Sequence, residues 1–87
     1  MYYTYVIFSP SRYQYYVGHT HEHPEMAVHQ HNMRSRVHTR KGTPWHLVYA
    51  KPFENSSDSY MLMQNLKNIK NRKILEYFID HLRHVEN

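Results

Sequence analysis

The first strongly structured stretch, Tyr2 to Phe8 (YYTYVIF), consists only of β-branched and aromatic residues, and a second run rich in them, Tyr13 to Thr20 (YQYYVGHT), follows closely. Such runs favour extended backbone, because branched and aromatic side chains fit a pleated surface. Between them lies Ser9-Pro10-Ser11-Arg12, a turn signal. The pair predicts an antiparallel hairpin. A lone hairpin cannot bury an apolar face in water, so the rest of the chain must cover it. Gly18, inside the second run, marks either a bulge or a close approach to the backbone.

The covering elements follow in order. Pro24 suits the first turn of a helix, where its missing N–H costs nothing. A short helix is predicted from Pro24 to Asn32, with Met26, Ala27 and Gln30 on one side. Met33 to Thr43 is polar and basic, and Gly42-Thr43-Pro44 punctuates it. Trp45 to Phe53 (WHLVYAKPF) reads as a third strand ending near Pro52. A helix is expected from Asp58 to Asn68, with Ser56 or Ser57 as its N-cap and Leu62, Leu66 and Ile69 on one stripe. A last helix from Arg72 to His84 sets Leu75, Phe78, Ile79 and Leu82 at helical spacing. The order is ββαβαα: an α/β (α+β) domain with a three-stranded antiparallel sheet flanked by helices, occupying residues 1–87 as one unit.

Bulk properties narrow the function classes. With 87 residues the core is modest. There are no cysteines, which excludes disulfides and thiolate metal sites and fits a cytoplasmic setting. The apolar N-terminus is short and lacks a basic leader and a small-residue cleavage site, so it is not expected to be a signal peptide. No apolar run approaches the roughly 20 residues of a membrane helix. A formal net charge of +4 permits a polyanionic partner.

Several short motifs, taken in order, resemble the GIY-YIG nuclease superfamily in its compact single-domain form, from Tyr2 to about Ile79. YTYVI is similar to the family's first motif, with Tyr5 in the tyrosine position. YYVGHT is similar to the second, with Tyr16, Val17 and Gly18 in its three places. His31-Asn32 resembles the HN that closes the first helix. TRKGTPWHLVY, Thr39 to Tyr49, resembles the threonine, basic and Gly-x-Pro-Trp run. LKNIKNRKILEYFI, Leu66 to Ile79, resembles the basic C-terminal helix. The resemblance implies phosphodiester hydrolysis in DNA. It implies a tyrosine or histidine that helps activate water, an arginine on the first helix facing phosphate, and a glutamate on the next helix holding a divalent cation, Mg or Mn. Phosphoryl transfer builds negative charge that such groups offset.

The chain departs from that pattern where the charges belong. The arginine position falls on Met26 or Ala27, and the glutamate position on Met63, preceded by Leu62 where a further arginine is usual. Apolar side chains bind neither a hard cation nor a phosphate. Met63 can instead fill the core, or with Met61 offer an adaptable contact surface.

Other features carry two readings each. The stretch His19 to Asn32 (HTHEHPEMAVHQHN) holds five histidines. His19, His21 and His23 could bind a transition metal with Glu22 or Glu25, or be solvated residues at a strand end. Tyr5 and Tyr16 are an active-site pair or ordinary strand tyrosines. His31 is a base or phosphate ligand, or a helix-end residue favoured by the dipole. Arg34, Arg36, Arg40 and Lys41 form one basic cluster, and Lys67, Lys70, Arg72 and Lys73 another. On this fold both resemble DNA-facing flanks, with the backbone near Gly18 as a further phosphate contact.

The expected function is therefore nucleic-acid binding, DNA or RNA, by an impaired or inactive nuclease homologue needing no cofactor. Two alternatives stand beside it. One is an active endonuclease with a rewired, histidine-containing site and a transition metal. The other is a regulatory pseudoenzyme with a protein partner or a second copy of itself.

Overall fold

A computed structural model describes residues 1–33 and 37–86. Strands β1 (Tyr2–Ser9), β2 (Gln14–Thr20) and β3 (His46–Phe53) form one antiparallel sheet in the order β2-β1-β3. Helices α1 (Pro24–Asn32), α2 (Ser56–Lys67) and α3 (Arg72–Glu86) complete the expected ββαβαα order, with a 3-10 turn at Arg40–Gly42.

β1 is the central strand, and Thr4, Tyr5, Val6 and Ile7 are all buried. An uninterrupted run of β-branched and aromatic residues suits a strand covered on both faces. Alternation along the strand then divides two cores. Val6 joins Val17, Tyr49, Met63, Leu66, Leu75 and Ile79 beneath α2 and α3. Tyr5 and Ile7 join Ala27 and Trp45 beneath α1. Thr4, fully buried, donates from Oγ1 to the Ser59 carbonyl at 2.7 Å, which ties β1 to α2 without leaving a polar group unpaired.

The structure corrects several expected details. α2 begins two residues earlier than expected, capped by Asn55, whose Oδ1 accepts from the Asp58 amide at 2.8 Å. Asn caps as well as Ser, and lies where the chain is still extended. On α1 the buried stripe is Pro24, Ala27 and His31, and Met26 is 50% exposed. Helical spacing of three and four residues selects that stripe and turns Met26 away. On α3, Leu75 and Ile79 face the core, whereas Phe78 lies a step round the helix and is exposed. Among the described residues no helix is long and apolar enough to cross a membrane.

The close approach expected at Gly18 comes from within the protein. Gly18 pairs with Tyr5 in regular register. A Cβ at position 18 would lie 2.7 Å from both Cζ and Oη of Tyr5. The sheet irregularity lies elsewhere, between Val6 and Ile7 where they meet β3. Gly18 is buried, so its role here is to admit a tyrosine ring. The Tyr5 ring has nowhere to retreat, being 3% exposed. Gly18→Ala is therefore expected to destabilise the fold by about 1–3 kcal/mol, as overpacking does. Urea unfolding checks this; unchanged stability would mean that the ring is not confined as described.

Candidate functional site

The α1 face of the sheet gathers the motif residues. Tyr5 on β1 and His31 at the end of α1 meet at 2.8 Å, phenol oxygen to Nε2. His31 Nδ1 lies 2.7 Å from Thr39 Oγ1. In a neutral imidazole one nitrogen donates and the other accepts, so the two hydroxyls play opposite roles. His31 and Thr39 are almost completely buried. The Tyr16 ring, half-buried, stands 5.1 Å from the His31 ring and 6.5 Å from that of Tyr5. Of these three rings it reaches furthest toward solvent, and Lys67 Nζ sits 5.3 Å over it in cation–π geometry.

The segment from Thr39 to Trp45 is clamped to this cluster. Asn32 acts like a strand edge, its amide donating to the Trp45 carbonyl at 3.0 Å and accepting from the Trp45 amide at 2.6 Å. The Trp45 indole N–H donates to the Thr39 carbonyl at 2.7 Å. Gly42 leaves room for the indole, since a Cβ there would collide with it. The HN pair and the threonine-to-tryptophan run thus form one hydrogen-bonded unit.

The charged positions sort differently. Arg40 and Lys41 are exposed on the 3-10 turn, next in the chain to Thr39. Lys67 flanks the cluster from α2. Lys70, Arg72 and Lys73 are exposed beyond it, and Arg72 turns to the β1–β2 turn, its Nη1 donating to the Tyr13 carbonyl at 2.8 Å. Arg34 and Arg36 lie outside the described residues. Of the two positions for the family arginine, Met26 is 50% exposed, and Ala27 is 1% exposed and packs with Tyr5 and Trp45. Met63 lies in the core beneath α2 and α3, on the other face of the sheet from Tyr5, so of its two readings the geometry supports core filling.

The histidine string does not assemble. His19 is exposed, its ring edge-on to Tyr60 at 5.5 Å. His21 is exposed in the bend before α1. His23 caps α1, its Nδ1 accepting from the Glu25 amide at 3.2 Å. Among the described residues no group of three or more His, Cys, Asp or Glu comes together to hold a metal ion.

A family model, the GIY-YIG catalytic domain, matches residues 1–78. The chain belongs to the GIY-YIG family, and with that membership comes a nuclease-like, nucleic-acid-related function. No curated protein and no solved structure matches significantly. Nucleases of this family typically depend on a divalent metal. Such ions take oxygen ligands. Met63, at the position where the resemblance places the metal-holding glutamate, offers none.

Sequence reasoning missed two bonds, one on each face of the sheet. Thr39 as the partner of His31 had a signal, its place in the motif run, but spacing alone does not reveal a bond across eight residues. The Tyr15–Glu76 bond, 2.7 Å from phenol to carboxylate on the opposite face, had none.

Both bonds can be tested by removing one hydroxyl at a time. Thr39→Val keeps the shape and removes the hydroxyl next to His31. It is expected to cost about 1–3 kcal/mol in urea unfolding, the range for a buried hydrogen bond broken on one side; a neutral result would remove Thr39 from the network. For Tyr15, burial and then the Glu76 carboxylate push the phenol from 10.0 up to about 12, while Arg72 acts in the other direction. A raised phenol stabilises the fold fully below pH 10 and loses that contribution as pH climbs toward about 12. Wild type should therefore lose stability across that window more steeply than Tyr15→Phe. Parallel curves would show that the phenol is not shifted.

Proposed function

We propose that the chain is a nucleic-acid-binding GIY-YIG domain whose phosphodiester chemistry is impaired. One observation carries this reading. The positions where the resemblance looks for the phosphate-binding arginine, Met26 or Ala27, and the metal-binding glutamate, Met63, are occupied by apolar side chains; Ala27 and Met63 are packed into cores, and Met26 is half exposed. Without those charges nothing offsets the negative charge of the transition state at those places. The exposed cations Arg40, Lys41, Lys67, Lys70, Arg72 and Lys73 remain. Each phosphate they neutralise releases counterions, which gives affinity without sequence preference.

An active enzyme with a rewired site has one observation in its favour. The Tyr5–His31 pair, with Tyr16 beside it, is a phenol–imidazole arrangement of the kind that moves protons. A protein-interaction role is favoured instead by the exposed Ile74, Tyr77, Phe78 and Val85 on α3.

Plasmid and oligonucleotide binding, with nicking read from the same samples in EDTA, magnesium, manganese, nickel and zinc, separates these readings. The expected result is binding that weakens with salt and no nicking. Replacing Lys67 and Lys70 by Gln should lower the slope of log affinity against log salt by about one for each phosphate that is no longer neutralised. Metal-dependent nicking abolished by Tyr16→Phe would establish the rewired enzyme. Absence of both binding and nicking would favour a protein partner.

A further inference from the structure

A cleft lies on the opposite face of the sheet from Tyr5 and His31. It encloses about 400 Å³ between the start of β2 and the link joining α2 to α3. Its lining includes the aromatic residues Tyr13 and Tyr15, the apolar Ile69 and Leu75, and the cations Lys70 and Arg72. Small-molecule sites occupy about 300–1,000 Å³, so the cleft suits one small flat ligand rather than a duplex.

Its aromatic wall is held in place by several contacts. Tyr13 adopts φ 52, a left-handed conformation that glycine or asparagine takes more readily than an aromatic residue. The Arg72 guanidinium lies 4.1 Å over the Tyr13 ring and also donates to the Tyr13 carbonyl. Phe8 meets that ring edge-on at 5.6 Å. Backbone strain persists where the surroundings over-determine it, and such places cluster at ligand sites. The Glu76 carboxylate, the nearby opposing charge, accepts from the Tyr15 hydroxyl. Arg72 has five N–H donors, of which the Tyr13 carbonyl takes one. Gln14, also in the lining, carries an amide that both donates and accepts.

A planar ring with a phosphate attached satisfies all of these groups. Aromatic and guanidinium faces stack bases, apolar side chains cover them, an amide reads a base edge, and cations meet the phosphate. We infer that this cleft seats a single unpaired nucleotide of a bound strand, its base against the Tyr13–Arg72 wall and its phosphate at Lys70. The inference rests on the nucleic-acid reading above and extends it. It assigns preference to unpaired nucleotides, which a basic surface alone does not give.

The test compares three DNA duplexes bound by the full chain in EDTA: blunt, with a one-nucleotide overhang, and with an abasic overhang carrying the same phosphate. The overhang with a base should bind about tenfold tighter than the abasic one, within the range of base–aromatic stacking. This comparison uses the wild-type chain and does not depend on any variant folding. Tyr13→Asn, which tolerates the left-handed backbone, should abolish the difference and leave blunt-duplex binding in place. Equal, salt-sensitive binding of all three duplexes would overturn the cleft assignment and leave the nucleic-acid reading standing. Absence of binding to any of them would overturn both. Tighter binding of the abasic overhang than of blunt DNA, with no further gain from the base, would show a phosphate contact alone and overturn the base-seating role.

Discussion

The contact of the Tyr5 phenol with the His31 imidazole organises the α1 side of the molecule. It joins the central strand to the end of α1, in a space where both groups are nearly sealed from water. A buried polar pair is tolerated only when its remaining hydrogen-bonding capacity is met, and Thr39 meets the far nitrogen. That in turn fixes the loop, because the Thr39 carbonyl receives the Trp45 indole and Asn32 pairs with the Trp45 backbone. Gly18 and Gly42 complete the arrangement by leaving space for two rings. Each of these residues has its place because another one needs it.

The sheet therefore presents two different surfaces. On the α1 side, the polar atoms of Tyr5, His31 and Thr39 are turned inward, and the Tyr16 ring stands between His31 and solvent with Lys67 over it. On the other side, the strand start and the α2–α3 link leave an open cleft with its cations at the rim. The basic residues of the C-terminal region serve both surfaces. Lys67 reaches round to Tyr16, while Arg72 stacks on Tyr13. A run of like charges in the sequence is thus divided by the geometry of one short turn between helices.

The strands and helix order were legible because the signals are local. A continuous β-branched and aromatic run, a Pro at a helix start and a 3.6-residue stripe each act within a few residues. The histidine alternation was misleading for an equally local reason. Period two places side chains on one face only while the strand continues, and β2 ends at Thr20, before His21 and His23. Met26 and Phe78 are misplaced because a short helix, or one with apolar residues at neighbouring positions such as Ile74, Leu75, Phe78 and Ile79, permits more than one stripe, and packing chooses among them. Partners such as Glu76 for Tyr15, 61 residues apart, depend on the assembled fold and leave no periodic trace.

The motif residues have a structural role in this fold beside any in catalysis. Tyr5, Gly18, His31, Asn32, Thr39, Gly42 and Trp45 are joined by fit and hydrogen bonding, so replacing any of them disturbs the core. The arginine and glutamate of the family pattern are a different kind of residue. A charge kept for phosphate or metal contributes to the reaction and costs desolvation in the fold. Apolar side chains at such positions avoid that cost and gain packing instead. Ala27 and Met63 are packed in this way, inside the two cores. Fit and hydrogen bonding thus account for the first set of positions, and apolar packing for the second.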